Sequence, residues 1–301
     1  MTRVDVAHVG SFSRLVFGCA SVGGRVSVRT SLRAMAMAFE RGVTSFDVAR
    51  SYGYGEAESV LGRFLLGRRE AAQIVTKAGI LAPKPSRLLS AAKSVARKAF
   101  AMFPRARVMV RPALGRQHQS GHFAPGELEA SLAASLRALR TDHVDVLLLH
   151  GCDPATLARE DVRNTLQGFV RRGMARRIGV AAGAREAELW VVQGDDPTAA
   201  LPARELAGFP QRDQSGLWLV NQPFGGGEAL ARLQQVCTRQ NLPPTSALEF
   251  LLRRPFAQGA TAVVLSMLSA GHVESALRAF SAGAPQADVT ATLERMLMED
   301  E

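Results

Sequence analysis

Cysteine is scarce in this chain of 301 residues: there are three, Cys19, Cys152 and Cys237. They form no C-x-x-C pair and no metal-type spacing, which argues against a disulfide framework or a zinc site and predicts reduced thiols. Long apolar runs are also missing. No stretch approaches the roughly 18 residues of a membrane span, and Met1-Thr2-Arg3-Val4-Asp5 carries no apolar signal region. The expectation is a cytoplasmic chain without a membrane span. No short repeat or low-complexity segment is present, and no G-x-G-x-x-G follows a strand, so the doubly wound dinucleotide fold is not indicated. Acidic residues are absent from one long segment. Residues 81–124 hold nine Lys or Arg and no Asp or Glu, which leaves +1 of the formal charge of +10 for the rest of the chain. The basic character belongs to one insertion, so it does not mark the whole chain as a nucleic-acid binder.

What is present is a set of reactive side chains at the ends of apolar strands. A short strand ending at Phe46 is followed by Asp47, and Tyr52 lies in a glycine-flanked loop five residues on. Lys77 closes the next strand, Gln73-Ile74-Val75-Thr76, and His150 closes Val144-Asp145-Val146-Leu147-Leu148-Leu149, which is apolar enough to be buried on both faces. Strand ends are where α/β proteins place chemistry. A tyrosine has an unperturbed pKa of about 10, so to donate a proton it needs a cation beside it, and Lys77 supplies one. Taken singly, Tyr52 reads as a surface tyrosine, Asp47 as a cap, Lys77 as a solvated strand end and His150 as a core-edge histidine. Four such residues at matching strand ends read instead as a site for protonating a carbonyl oxygen as negative charge builds there.

The pattern F-D-x-A-x-x-Y-G-x-G-x-x-E-x-x-L-G from Phe46 to Gly62, Thr76-Lys77, the Ser135-Leu136-x-x-Leu139 to Asp145 to His150 stretch, and Gly173-x-x-Arg176-x-Ile178-Gly179-Val180 together resemble the aldo-keto reductase family in order and spacing. The resemblance, to a short and divergent bacterial-type member, is firm from Leu15 to Val180 and patchy beyond. It implies an α/β fold, a (β/α)8 TIM barrel with an N-terminal hairpin closing its bottom, and an NAD(P)H-dependent oxidoreductase that reduces an aldehyde or ketone to an alcohol. Under it Tyr52 is the general acid, Lys77 lowers the tyrosine pKa, Asp47 holds Lys77 charged and His150 orients the carbonyl.

The cofactor contacts depart from the family pattern. At the end of strand five Ala181-Ala182 stand where the family usually has Ser-Asn. After strand eight, Ser266 to Ala276 has no Lys or Arg, although the family usually places Lys, Ser/Thr and Arg there for a 2′-phosphate. The candidate cofactor residues are Asp47, Gln222, Ser266, Ser269 and His272. Gln222 either holds the nicotinamide amide or belongs to strand seven, where that role does not apply. NADP or NAD is therefore expected without a set preference. The alternative is a catalytically weak binding or regulatory protein that has lost tight cofactor binding.

The whole chain, 1–301, reads as one barrel domain acting on a small carbonyl substrate, as a monomer or weak homo-oligomer, with no nucleic-acid partner. Helix one is expected over 31–41 with Thr30 as its cap, helix two over 56–66, helix three over 125–139 and helix four over 155–172. Helix five is placed at 185–192, strand six within 199–209, strand seven at 217–221, strand eight at 262–265 and its helix at 273–282. The insertion carries an amphipathic helix with Leu88, Val95, Phe100 and Phe103 on its apolar side. Three places are open for that side: the barrel mouth, a partner chain and an anionic membrane. Because both ends of the insertion lie at the rim, a lid over the mouth is the expectation.

Overall fold

The computed structural model describes residues 3–6, 10–81, 121–182, 188–191, 217–221, 223, 227–257, 259–282 and 287–298. The first two strands, β1 (Arg3–Val6) and β2 (Gly10–Ser13), pair antiparallel as a hairpin. Eight more follow: β3 (Leu15–Gly18), β4 (Ser45–Asp47), β5 (Gln73–Ala78), β6 (Val144–His150), β7 (Ala175–Ala182), β8 (Glu188–Val191), β9 (Trp218–Asn221) and β10 (Ala262–Leu265). They close into a barrel in the order β10-β3-β4-β5-β6-β7-β8-β9.

Seven of these strands run parallel, and β8 runs antiparallel to both β7 and β9. This corrects the helix expected over 185–192. Trp190 and Val191, an aromatic and a β-branched residue, suit a strand, and the peptide groups of β7 and β9 that face this gap are satisfied by a strand lying between them. The strand expected within 199–209 falls outside the described residues, as do residues 82–120 of the basic insertion.

The helices are α1 (Val28–Glu40), α2 (Ala57–Phe64), α3 (Pro125–Leu139), α4 (Pro154–Ala158), α5 (Glu160–Arg171), α6 (Gly227–Arg239), α7 (Thr245–Ala257), α8 (Ala270–Ser281) and α9 (Ala287–Met298). The cap of α1 is Ser27, whose hydroxyl accepts from the Thr30 amide at 3.1 Å. The helix thus begins a turn earlier than a Thr30 cap predicts. Among the described residues no helix is long and apolar enough to cross a membrane.

The period of two along the strands divides the core in two. Val16, Val75, Val146, Leu148, Leu219 and Val264 share one cluster inside the barrel, and Val6 and Phe12 of the hairpin join it. Leu15, Phe17, Phe46, Ile74, Leu147 and Leu149 point the other way and pack with buried helix residues such as Met35, Leu61, Leu128 and Phe169. Burying one such side chain contributes about 1.5–3 kcal/mol, so the alternation fixes strand register strongly. Helices α2 and α3 approach so closely that a Cβ on Gly62 would lie 2.5 Å from the Ala138 carbonyl oxygen.

Candidate active site

The register that buries Val75 and Leu148 inside the barrel gives Asp47, Lys77 and His150 the same inward parity, at the C-terminal ends of β4, β5 and β6. Going round the barrel, the ends of β10, β3, β4, β5 and β6 form one arc, so Ser266, Cys19, Asp47, Lys77 and His150 follow one another along the rim.

Lys77 is the centre of this arc. Its residue is 2% exposed and that of Asp47 1%. The Lys77 Nζ donates to Asp47 Oδ1 at 2.5 Å and to the Val48 carbonyl at 3.1 Å. It also sits 4.7 Å from the centre of the Tyr52 ring. The Tyr52 ring in turn meets His150 edge to face, with centroids 6.2 Å apart and planes at 89°. The structure therefore brings together the four residues singled out from the sequence.

Tyr52 is delivered by a short 3-10 turn, Tyr52–Gly55, in which Gly53 and Tyr54 both adopt left-handed backbone angles, with φ of 58° and 59°. A Cβ at Gly53 would lie 1.9 Å from the Val22 carbonyl oxygen, so only glycine fits beneath the loop that follows β3. Behind the turn, the buried Glu58 in the first turn of α2 accepts from the Thr76 hydroxyl at 2.7 Å and from Arg50 at 3.4 Å.

Burial dominates the electrostatics. It raises the Tyr52 pKa above 10.0 even though the Lys77 charge pulls it down. Lys77 does act on Tyr52 in the expected direction, but desolvation of the phenolate outweighs it. Burial likewise raises Asp47 above 3.8 against the pull of Lys77. Burial alone pushes Lys77 down, yet Asp47 and Tyr52 together bring it above 10.5, which keeps the ammonium charged.

Besides Asp47, the described candidate cofactor residues follow β10, at the end of this arc away from His150. Ser266 is exposed just past β10, and Ser269 caps α8, its hydroxyl accepting from the His272 amide at 3.3 Å. His272 is exposed in the first turn of that helix. Gln222 falls outside the described residues. Ala181, opposite His150 in the register, is buried in the interior cluster and offers no side-chain hydrogen bond. Among the described residues no group of three His, Cys, Asp or Glu is placed to hold a metal ion.

Three contributors carry no site role in the sequence reading. Cys19 is fully buried, its amide donates to the Asp47 carbonyl at 2.8 Å, and burial followed by the Asp47 charge raises its thiol well above 9.0. Glu58 and Thr76 stand in the motifs without a role. No local pattern marks either role: Cys19 is brought to Asp47 by the β3–β4 register, which sets Gly18 opposite Asp47, and Glu58 meets Thr76 only through the packing of α2 on β5. Cys152, two residues after His150, is pushed up to about 11 by burial, far from reactive thiolate character.

The Aldo/keto reductase family profile matches residues 14–193. The 6-dehydroglucose reductase of Agrobacterium fabrum (strain C58) is 26% identical over 285 residues, covering 85% of this chain and 85% of that protein. An oxidoreductase of Bacillus subtilis (strain 168) called YcsN, itself uncharacterized, is 29% identical over 187 residues, or 60% of this chain and 53% of that protein. Among solved structures, an aldo/keto reductase from Klebsiella pneumoniae in complex with NADP and acetate superposes with a TM-score of 0.61 at 16% identity, covering 95% of this chain and 92% of that one.

Proposed function

Because this chain belongs to the aldo/keto reductase family and is an NAD(P)-dependent oxidoreductase, we propose that it reduces an aldehyde or ketone to an alcohol with Tyr52 as the general acid, within one barrel domain spanning 1–301. The observation that carries this reading is the position of Lys77, which touches the buried Asp47 on one side and the Tyr52 ring on the other.

Tyr52 holds a proton that its raised pKa keeps in place at neutral pH. As hydride reaches the carbonyl carbon, negative charge builds on the oxygen, and the proton on the Tyr52 oxygen moves to it. The Lys77 ammonium then faces the phenolate that remains, which offsets the cost of a buried anion. Asp47 keeps the ammonium charged and in place. His150, edge-on to Tyr52, is the second hydrogen-bonding group beside the acid and orients the carbonyl oxygen.

A nicotinamide cofactor supplies the hydride when bound. The described residues fit its charged part in outline: the N-terminus of α8, with Ser266 and Ser269, presents backbone amides to a phosphate. They offer no Lys or Arg between Ser266 and Ala276 for a 2′-phosphate. That gap, together with the apolar Ala181, favours a second reading in which the barrel binds cofactor weakly and serves as a binding or regulatory protein.

Two measurements test the proposal. Tyr52→Phe deletes the donor proton and little else, so turnover should fall about 10²- to 10⁴-fold while quenching of Trp190 and Trp218 by added NADPH or NADH stays as in the parent. Turnover within a few-fold of the parent reassigns the acid, with His150 next. If neither nucleotide quenches or gives heat in a titration, the second reading stands.

A further inference from the structure

The Glu58 carboxylate belongs to no hydride or proton step, yet it is as buried as the catalytic pair, at 2% exposure. An ionised group in that position needs partners on both oxygens. Its two oxygens meet two different segments of the candidate site. Oε1 accepts from the hydroxyl of Thr76, the residue immediately before Lys77 on β5. Oε2 accepts from Arg50, two residues before Tyr52 in the loop after β4. Thr76 is fully buried, whereas Arg50 keeps 25% of its side chain exposed.

The two segments that Glu58 joins are those whose separation sets the reaction geometry. Lys77 points into the barrel and Thr76 out of it, toward α2, so a contact made outside the sheet fixes the strand that carries the ammonium. The loop with Tyr52 is anchored from below by the close approach of Gly53 to the Val22 carbonyl, and it holds two consecutive residues in left-handed conformations. Such a loop keeps its shape only where the surroundings over-determine it. We infer that Glu58 is a positioning residue, tying Thr76 and Arg50 through one buried carboxylate so that the Tyr52 hydroxyl is held against the Lys77 ammonium.

The inference rests on the reading of Tyr52 as the acid, and the test keeps the two apart. Parent, Glu58→Gln, Glu58→Ala, Tyr52→Phe and the two double variants with Tyr52→Phe are compared for kcat, KM, nucleotide binding by tryptophan quenching, and thermal midpoint. Misplacing reacting groups by about 1 Å costs on the order of 10²-fold. Glu58→Ala should therefore lower kcat about 10²-fold and Glu58→Gln, which still accepts from Thr76, by about tenfold, with KM and nucleotide binding within about twofold. In the Tyr52→Phe background the same changes should lower kcat by less than about twofold, since a group that acts through the Tyr52 hydroxyl has nothing left to position.

An equal fold-loss in both backgrounds means that Glu58 supports the barrel generally and overturns the inference, as does an unchanged kcat in the single variants. Should Glu58→Ala not fold, Thr76→Val, which removes the hydroxyl and keeps strand shape, replaces it. Its expected loss of about tenfold must again vanish beside Tyr52→Phe. Full activity of Tyr52→Phe alone overturns the acid assignment first and this inference with it, whereas a normal Tyr52→Phe defect with inert Glu58 variants overturns only the latter.

Discussion

From β4 to β6 the rim is built of buried and half-buried polar groups joined to one another: Asp47 with Lys77, Lys77 with Tyr52, and Glu58 with Thr76 and Arg50. From β7 round to α8 the described rim has a buried methyl group at Ala181, an exposed Ser266 and a serine cap whose hydroxyl bonds its own helix. Groups in the first arc are held in low dielectric, where each partner matters and a wrong one is costly. Ser266 and the first turn of α8 in the second arc face solvent, and what they offer an anion is mostly backbone. Under the proposed function the proton-handling side is thus preorganised by the protein alone, whereas the side proposed for the nucleotide offers generic helix-terminus attraction.

The sharpest way to break this contrast is Lys77→Met. It leaves the buried Asp47 carboxylate without its cation, and breaking a buried pair from one side costs about 3–5 kcal/mol. Urea unfolding should show that loss along with a fall in turnover of at least about 10²-fold, and Asp47→Asn added to Lys77→Met should restore most of the stability but none of the activity.

Next in size is the response to alkali. Tyr52 and Lys77 both have folded pKa values above their ordinary 10.0 and 10.5. Above pH 10 the folded chain therefore holds more protons than the unfolded one, so stability falls as pH rises through that range. Carbonyl reduction should accordingly be level in its Tyr52-dependent part from about pH 7 to 9 and decline only above pH 10.0, together with the thermal midpoint. A decline centred near pH 7 would show that a group other than Tyr52 and Lys77 governs the reaction.

Gly53→Ala tests the packing under the Tyr52 turn. The added methyl meets the Val22 carbonyl at 1.9 Å, and overpacking of this kind costs about 1–3 kcal/mol. Turnover should drop more than nucleotide binding does, since the displaced group is the proposed acid.

The second arc should give the smallest effects. Ser269→Ala removes the cap of α8 and should cost about 1 kcal/mol in thermal or urea unfolding, with kcat unchanged within about twofold. Calorimetric titration should find NADPH and NADH within about tenfold of each other, because a charge-assisted phosphate contact is worth about 1.5–3 kcal/mol and no Lys or Arg lies between Ser266 and Ala276. A hundredfold preference for NADPH would show that a cation from elsewhere in the chain reaches the 2′-phosphate.

Much of the barrel is legible without coordinates. Asp47, Lys77 and His150 end apolar strands of period two, and a parallel sheet closed by helices must turn such residues toward one rim. The strands at Trp218–Asn221 and Ala262–Leu265 match the sequence reading to within one residue, because both are short apolar runs. The strand at Glu188–Val191 reads from sequence as helix. Its four residues satisfy either period, and the choice is made by the open edges of β7 and β9, which no local pattern records.

The sequence by itself determined which residues stand at the strand ends, which surface of each strand and helix is apolar, and that a tyrosine and a lysine belong to neighbouring segments of one rim. The tertiary structure alone decided three further matters. It set the sign of the Tyr52 shift, because desolvation depends on everything that covers the phenol and here exceeds the field of one ammonium. It placed Cys19 beside Asp47. It also joined Glu58 to Thr76 and Arg50, since a carboxylate on a helix finds its partners on the strand and loop it packs against, at sequence separations of 18 and 8 residues that carry no local signal.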